Sequence, residues 1–263
     1  MKIAICFSGH LRNIPEHIKN LKTNLLDVIS EKHQYDIYMH TWDDNKTCNQ
    51  MILNNDHYFP NKTYTITDII TLFKTNNIDI KDIIVENQND ISKLLNTENW
   101  LDNAQESSSI HDKLDTKYVR GVLTMLFWQY YGHHAVFNII KNIDEYDYII
   151  KTRPDMLYEP FNMQCLDMPV CFPLSHQKNN TSINSAFFGG QRDYMKQILN
   201  YFNTIIYKNS TADMSLIRQY HKTDINLNNI FRYYIMKYLK FKPTFCSYDP
   251  KLYRTAKVII KIL

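Results

Sequence analysis

Lys2-Ile3-Ala4-Ile5-Cys6-Phe7-Ser8-Gly9-His10-Leu11-Arg12 is the stretch on which the fold turns. Residues 2–7 are a short apolar run of strand length, and Ser8-Gly9 breaks it. A helix follows directly. Ile14, Ile18, Leu21, Leu25, Val28 and Ile29 recur at helical spacing over 14–30, with Pro15 in a helix-start position. The next run, Tyr35 to Trp42, alternates as a strand does and ends in the polar Asp43-Asp44-Asn45. Strand, helix and strand joined this way are expected to run parallel, with a right-handed crossover.

Further along, 68–73 reads as a helix, 80–85 as a strand and 100–115 as a mobile polar loop. The clearest helix spans 117–142, with Val122, Met125, Leu126, Gln129, His133, Val136, Phe137 and Ile140 on one broad face. It leads into Tyr146-Asp147-Tyr148-Ile149-Ile150-Lys151-Thr152, a strand stopped at Arg153-Pro154-Asp155, because Pro154 has no N–H to give a ladder. That placement predicts Asp155 exposed at the carboxyl tip, where open α/β sheets bind ligands. Beyond it come an apolar run at 168–173, a strand from Ile183 to Phe188 closed by Gly189-Gly190, and helices near 191–206 and 225–239. Scarce Gly and turn-bound Pro give no linker and no repeat, so one domain is expected over 1–263.

The charge excludes little but is informative. Thirty basic residues against 27 acidic ones give +3, scattered rather than clustered, which supplies no nucleic-acid surface. Five widely spaced cysteines, with no C-x-x-C, read as reduced thiols. No signal peptide or membrane span is legible, so a cytoplasmic protein is expected, and the N-x-S/T matches at Asn45, Asn61, Asn179 and Asn209 read as chance.

Several groups could carry chemistry. Ser8, Gly9, His10 and Arg12 lie between the first strand and the first helix, where backbone N–H groups and the helix dipole favour an anion; a plain tight turn with a solvated arginine is the equal alternative. Lys151, Arg153 and Asp155 place one carboxylate among cations, as a site for a metal-bound diphosphate or as a simple Arg153–Asp155 ion pair. His40 and Trp42, at the second strand's tip, could stack or hydrogen-bond a base or sugar. His133 reads as a core histidine, within a Tyr130-Tyr131…His133-His134 cluster that lacks H-E-x-x-H spacing. Asn184 to Gly190 could present an acceptor at a strand-to-helix turn, and Asp213, Asp224 and His221 are candidates for a base.

The opening block 3–12, the strand 36–42, the block 146–155 with its long preceding helix and Phe187-Phe188-Gly189-Gly190 together resemble a family of GT-A-like glycosyltransferases of large DNA viruses and bacterial surface-glycan loci. The resemblance covers roughly residues 1–240. It implies a Rossmann-like, mostly parallel sheet flanked by helices, with a nucleotide-binding half over about 1–155, an acceptor half over about 156–245 and a tail after it. It also implies a nucleotide-sugar donor, UDP- or GDP-linked, a glycan acceptor, and a D-x-D-type motif holding Mn²⁺ or Mg²⁺. Here Arg153 replaces that motif's first carboxylate, so Asp155 is the one metal ligand expected, with Arg153 beside it as catalytic partner. Either Asp155 holds the metal with water and phosphates, or Arg153 and Lys151 neutralise the departing diphosphate unaided. A binding module without turnover, or a phosphoryl or sulfuryl transferase, are the rival readings, and the family would place the protein in the host cytoplasm if viral.

Overall fold

The computed structural model of the chain describes residues 1–12, 14–43, 64–107, 116–173, 186–200, 239–240, 244–246 and 251–252. The opening apolar run is strand β1 (Lys2–Ser8), followed by one helical stretch, α1 (Ile14–Leu21), a π-helical turn at Lys22–Leu26 and α2 (Asp27–Ser30). Strand β2 (Gln34–Trp42) pairs parallel with β1 along its whole length, Lys2 opposite Gln34 and Ser8 opposite His40. Helix α3 (Ile66–Thr75) starts at a capping box in which Thr65 and Asp68 satisfy each other's backbone N–H groups. Strand β3 (Asp82–Glu86) then joins the outer side of β2, in parallel.

The described part of the loop expected at 100–115 is helical instead. α4 (Gln88–Leu95) precedes it in the same polar stretch, 100–107 belong to α5 (Thr97–Ser107), and 108–115 lie outside the described residues. Asn87 caps α4 through its side-chain oxygen, and Asn96 adopts the left-handed conformation that ends it, so two asparagines that read as loop residues are helix punctuation. Trp100 and Leu101 of α5 are buried against the long helix α6 (Thr116–Asn138).

Helix α6 crosses to strand β4 (Tyr148–Thr152), which docks parallel on the far side of β1. Short β5 (Met156–Leu157) and β6 (Val170–Pro173) follow, then β7 (Phe188–Gln191), α7 (Arg192–Leu199), β8 (Thr244–Cys246) and β9 (Lys251–Leu252). The main sheet runs β3-β2-β1-β4-β7-β6-β8, parallel except where β7 lies antiparallel to β4 and to β6; β5 and β9 pair separately. This is an α/β fold with a mostly parallel sheet covered by helices. No helix among the described residues is long and apolar enough to cross a membrane.

Both sheet faces are buried, as the uninterrupted apolar runs require. Ile3, Ile5, Phe7, Ile37, Met39, Tyr148 and Ile150 pack toward α1, α2 and α3, whereas Ala4, Cys6, Tyr38 and Ile149 pack toward α5, α6 and α7. Each fully buried aliphatic side chain contributes about 1.5–3 kcal/mol. The order of strands follows from that two-sided burial: β1 is flanked on both edges and covered on both faces.

Gly189 and Gly190 correct the expectation of a turn. They lie inside β7, opposite Ile150 and Ile149. A Cβ on Gly190 would come within 2.7 Å of the Pro169 carbonyl oxygen, and one on Gly189 within 2.9 Å of the Tyr148 ring. The glycines are close-approach residues of the sheet, away from its carboxyl edge. Asn184 and Ser185, like Asp213, His221, Asp224 and all but the last residue of the helix expected near 225–239, lie outside the described residues.

Candidate functional site

The order β3-β2-β1-β4 fixes where a ligand can enter. From β1 the chain adds β2 and β3 on one side, then returns to place β4 on the other, so the connections leave the carboxyl ends of β1 and β4 in opposite directions. Open α/β sheets bind ligands in a crevice at such a switch point, and the segments singled out in the sequence flank it here: Gly9–Arg12 after β1, and Arg153–Asp155 after β4.

Gly9 has φ +133°, a left-handed region that a side chain disfavours, and its N–H donates to the His40 carbonyl at 3.2 Å. The turn brings Gly9 against the Arg153 guanidinium, whose carbon lies 3.7 Å from where a Cβ would be. Arg12 also has a positive φ, 45°, unusual for a side-chain-bearing residue. Its guanidinium Nη1 donates to Asp155 Oδ2 at 2.8 Å. Arg153 donates to the same carboxylate twice, Nε to Oδ1 and Nη2 to Oδ2, both at 2.8 Å.

Asp155 is therefore not an exposed carboxylate at a strand tip but a buried one, 0% exposed, with both oxygens held by two arginines. Burial alone would raise its pKa; Arg153 and Arg12 outweigh burial and hold it at about 2. The ion pair weighed against the metal site is present, with a second arginine the sequence did not announce. That partner is 143 positions away, and nothing local signals it.

A divalent cation is held by several oxygen ligands, with carboxylates among them. Asp155 offers one carboxylate whose oxygens are committed, and a cation there would meet two guanidiniums. The donor set does not fit Mn²⁺ or Mg²⁺. Among the described residues no group of three His, Cys, Asp or Glu side chains is arranged to hold a metal.

The loop carrying Arg153 and Asp155 is clamped from α1. His17 Nε2 donates to the Pro154 carbonyl at 2.8 Å, and Asn20 closes a two-way bond with the Tyr158 backbone. Tyr158 in turn donates its hydroxyl to the Arg153 carbonyl at 2.8 Å. Such support fixes the guanidinium before any ligand arrives.

Lys151 lies elsewhere. It is buried on the α6 face, near Cys6 and His133 and with Nζ 5.9 Å from the Phe188 ring centre. Burial, and then the neighbouring Arg153, pushes its pKa well below the ordinary lysine value. It is a core amine rather than part of the crevice wall. His133 is the core histidine expected, edge-on to Tyr130 and Phe188, its pKa lowered chiefly by burial.

His40 and Trp42 are packed too. Trp42 stacks on Tyr131 at 5.7 Å and meets His40 and Trp128 edge-on, so its faces are occupied rather than offered to a base. His40 Nε2 hydrogen-bonds Glu86 Oε2 at 2.8 Å, and Tyr131 donates its hydroxyl to the same oxygen at 2.8 Å. Glu86 is a residue the sequence reading passed over, since a glutamate closing a weakly patterned strand looks like any surface carboxylate. His10 lies between the two groups, beside Gln88 at 3.5 Å and 6.4 Å from Trp42, and contributes to holding Asp155 ionised. Ser8 stands opposite His40 in the sheet.

No family model matches the chain, and no curated protein does. Among solved structures it is similar to the apo-form glycosyltransferase GlyE of Streptococcus pneumoniae TIGR4, with 8% identity and a TM-score of 0.41 over 93% of this chain and 45% of that one. The chain thus spans less than half of GlyE's length. What the site can do has to be read from its own geometry.

Proposed function

We propose that the chain is a GT-A-like glycosyltransferase that moves a sugar from a nucleotide-diphosphate donor to a hydroxyl of a glycan acceptor, and that it holds the diphosphate without a metal. The observation that carries this is the convergence of Arg12 and Arg153 on one buried carboxylate at the switch point of the sheet. Guanidinium groups carry five N–H donors each and match phosphate oxygens bidentately. Asp155 takes two donors from Arg153 and one from Arg12. It acts as the internal counter-ion that keeps two like charges side by side.

As the bond from sugar to diphosphate breaks, charge grows on the leaving oxygen. Arginines already in place stabilise it without reorganising, which is where electrostatic catalysis gains most. Residues 1–155 would supply the donor half and 156–245 the acceptor half.

A screen of UDP-, GDP-, CMP- and dTDP-sugars by thermal shift and by donor hydrolysis, each with Mn²⁺ or with EDTA, tests the reading. We expect one donor class to stabilise and turn over equally with chelator and with metal. Stabilisation that needs Mn²⁺ would overturn the metal-free arrangement; no response to any donor would overturn the function.

One observation favours a second reading, a nucleotide-sugar-binding module without turnover. Both Asp155 and Glu86 are held ionised as hydrogen-bond acceptors, and neither is poised to take a proton. Stabilisation by a donor without hydrolysis or transfer would select it.

A further inference from the structure

Resting on that reading, we propose that Glu86 accepts the vicinal hydroxyls of the donor's ribose and makes the site selective for ribonucleotides. Glu86 ends β3 at the same carboxyl edge as the arginine pair. One of its oxygens, Oε2, is fixed by two donors, His40 Nε2 and the Tyr131 hydroxyl. The other, Oε1, has no hydrogen bond among the described residues, and the side chain is 23% exposed. A carboxylate locked through one oxygen and open through the other is an oriented acceptor.

Its position suits a nucleotide. Strands about 4.8 Å apart put the β3 tip roughly 10 Å from the loop after β1, a separation that a diphosphate with its ribose can bridge. His10 from that loop reaches Gln88 at 3.5 Å, two residues beyond Glu86, so the loop and the segment after the β3 tip meet at the same edge of the sheet. The backbone is pinned as well: Asp43 N–H donates to the Glu86 carbonyl at 3.0 Å, and Asn87 holds both Asp43 oxygens.

The chemistry separates an acceptor from a base. Burial would raise the Glu86 pKa, but the hydrogen bonds from His40 and Tyr131 prevail and hold it below the ordinary value. The carboxylate stays charged, so it accepts hydrogen bonds from hydroxyls and takes up protons poorly. Charge-assisted bonds of this kind are the stronger class. The ring packing of Trp42 leaves recognition at this tip to the carboxylate rather than to stacking.

Calorimetry of the full chain with inorganic pyrophosphate, with UDP and GDP, and with their 2′-deoxy and 2′,3′-dideoxy counterparts reads the inference directly. The expected result is that the unmodified protein prefers the better-bound ribonucleotide to its dideoxy counterpart by about tenfold, in keeping with one charged hydrogen-bond pair. Glu86→Gln should shrink that ratio to about threefold or less while pyrophosphate affinity is unchanged. Should Glu86→Gln fail to fold, Tyr131→Phe removes one of the two orienting bonds and should narrow the same ratio. Equal affinity for ribo- and dideoxynucleotides in the unmodified protein overturns the inference and leaves the glycosyltransferase reading standing. Binding of neither pyrophosphate nor any nucleoside diphosphate overturns both.

Discussion

Asp155 concentrates more of the site's energetics than any other side chain described. It is buried with both oxygens in ion pairs, and its pKa falls from 3.8 to about 2. A carboxyl depressed on folding contributes stability that is complete above its unfolded value and is lost as pH falls through the folded one. Two units are worth about 2–3 kcal/mol, so the contribution should vanish between about pH 4 and pH 2. Asp155→Asn leaves two guanidiniums facing a neutral amide, and loss of a buried partner costs about 3–5 kcal/mol. Urea unfolding of the variant at pH 7 should show that deficit, and its acid limb between pH 4 and pH 2 should be flatter than the parent's. A variant as stable as the parent would mean that the arginines do not depend on Asp155. The two sides of Lys151's strand behave differently: Thr152 bonds Tyr158 beneath the loop, while Lys151 is absorbed into the core.

At the scale of elements, the strands and long helices were legible because their periodicities are enforced by burial. β1, β2, α1, α3, α6 and β4 stand close to where apolar spacing put them, although α6 stops at Asn138 rather than 142, and the π-turn at Lys22–Leu26 and the 3-10 turn at Ile143–Glu145 were unseen. α4 was missed because a helix that buries little carries little apolar periodicity, and it has no buried residue among its eight. α5 was missed because its buried Trp100 and Leu101 are adjacent in an otherwise mostly polar stretch and set up no helical repeat. The site divides the same way. Gly9, Arg12, Arg153 and Asp155 were found from their place after strands, whereas the bond from Arg12 to Asp155 and the fixing of Glu86 by His40 and Tyr131 depend on chain crossings that only the fold creates. β7 shows how a strand signal can mislead, since Gly189-Gly190 looked like a stop and is a place without room. Gly190→Ala should destabilise by about 1–3 kcal/mol through overpacking and leave pyrophosphate affinity unchanged. Thermal melts with and without pyrophosphate check both halves. A stable Gly190→Ala would mean that Pro169 yields easily.

Over the whole molecule, the sheet's two edges are built for different tasks, and that difference yields a spatial prediction. At the amino edge, Asp36 takes Lys81 at 2.8 Å and the Tyr146 hydroxyl at 2.7 Å, and Tyr146 pairs with Tyr38, so the polar groups there satisfy one another. An open depression of about 560 Å³ lies beside them, lined by Met1, Lys2, Ser30, Lys32, His33, Gln34 and Asp147. Its cations are solvated and its walls are wide. Surface charges of that kind are screened beyond about 10 Å at ordinary salt. At the carboxyl edge the cations are the nearly enclosed Arg12 and the 18%-exposed Arg153, where screening is weaker and an anion gains more. Pyrophosphate should therefore slow amide exchange in the segments 9–12 and 152–155, which follow β1 and close β4, before it affects residues 30–36 or 147. Slow opening of loops is local, so bound ligand suppresses it where it binds. Hydrogen-exchange mass spectrometry with and without saturating pyrophosphate reads the pattern peptide by peptide. Protection centred on 30–36 and 147 would put the anion at the amino edge and remove the switch-point crevice as its site.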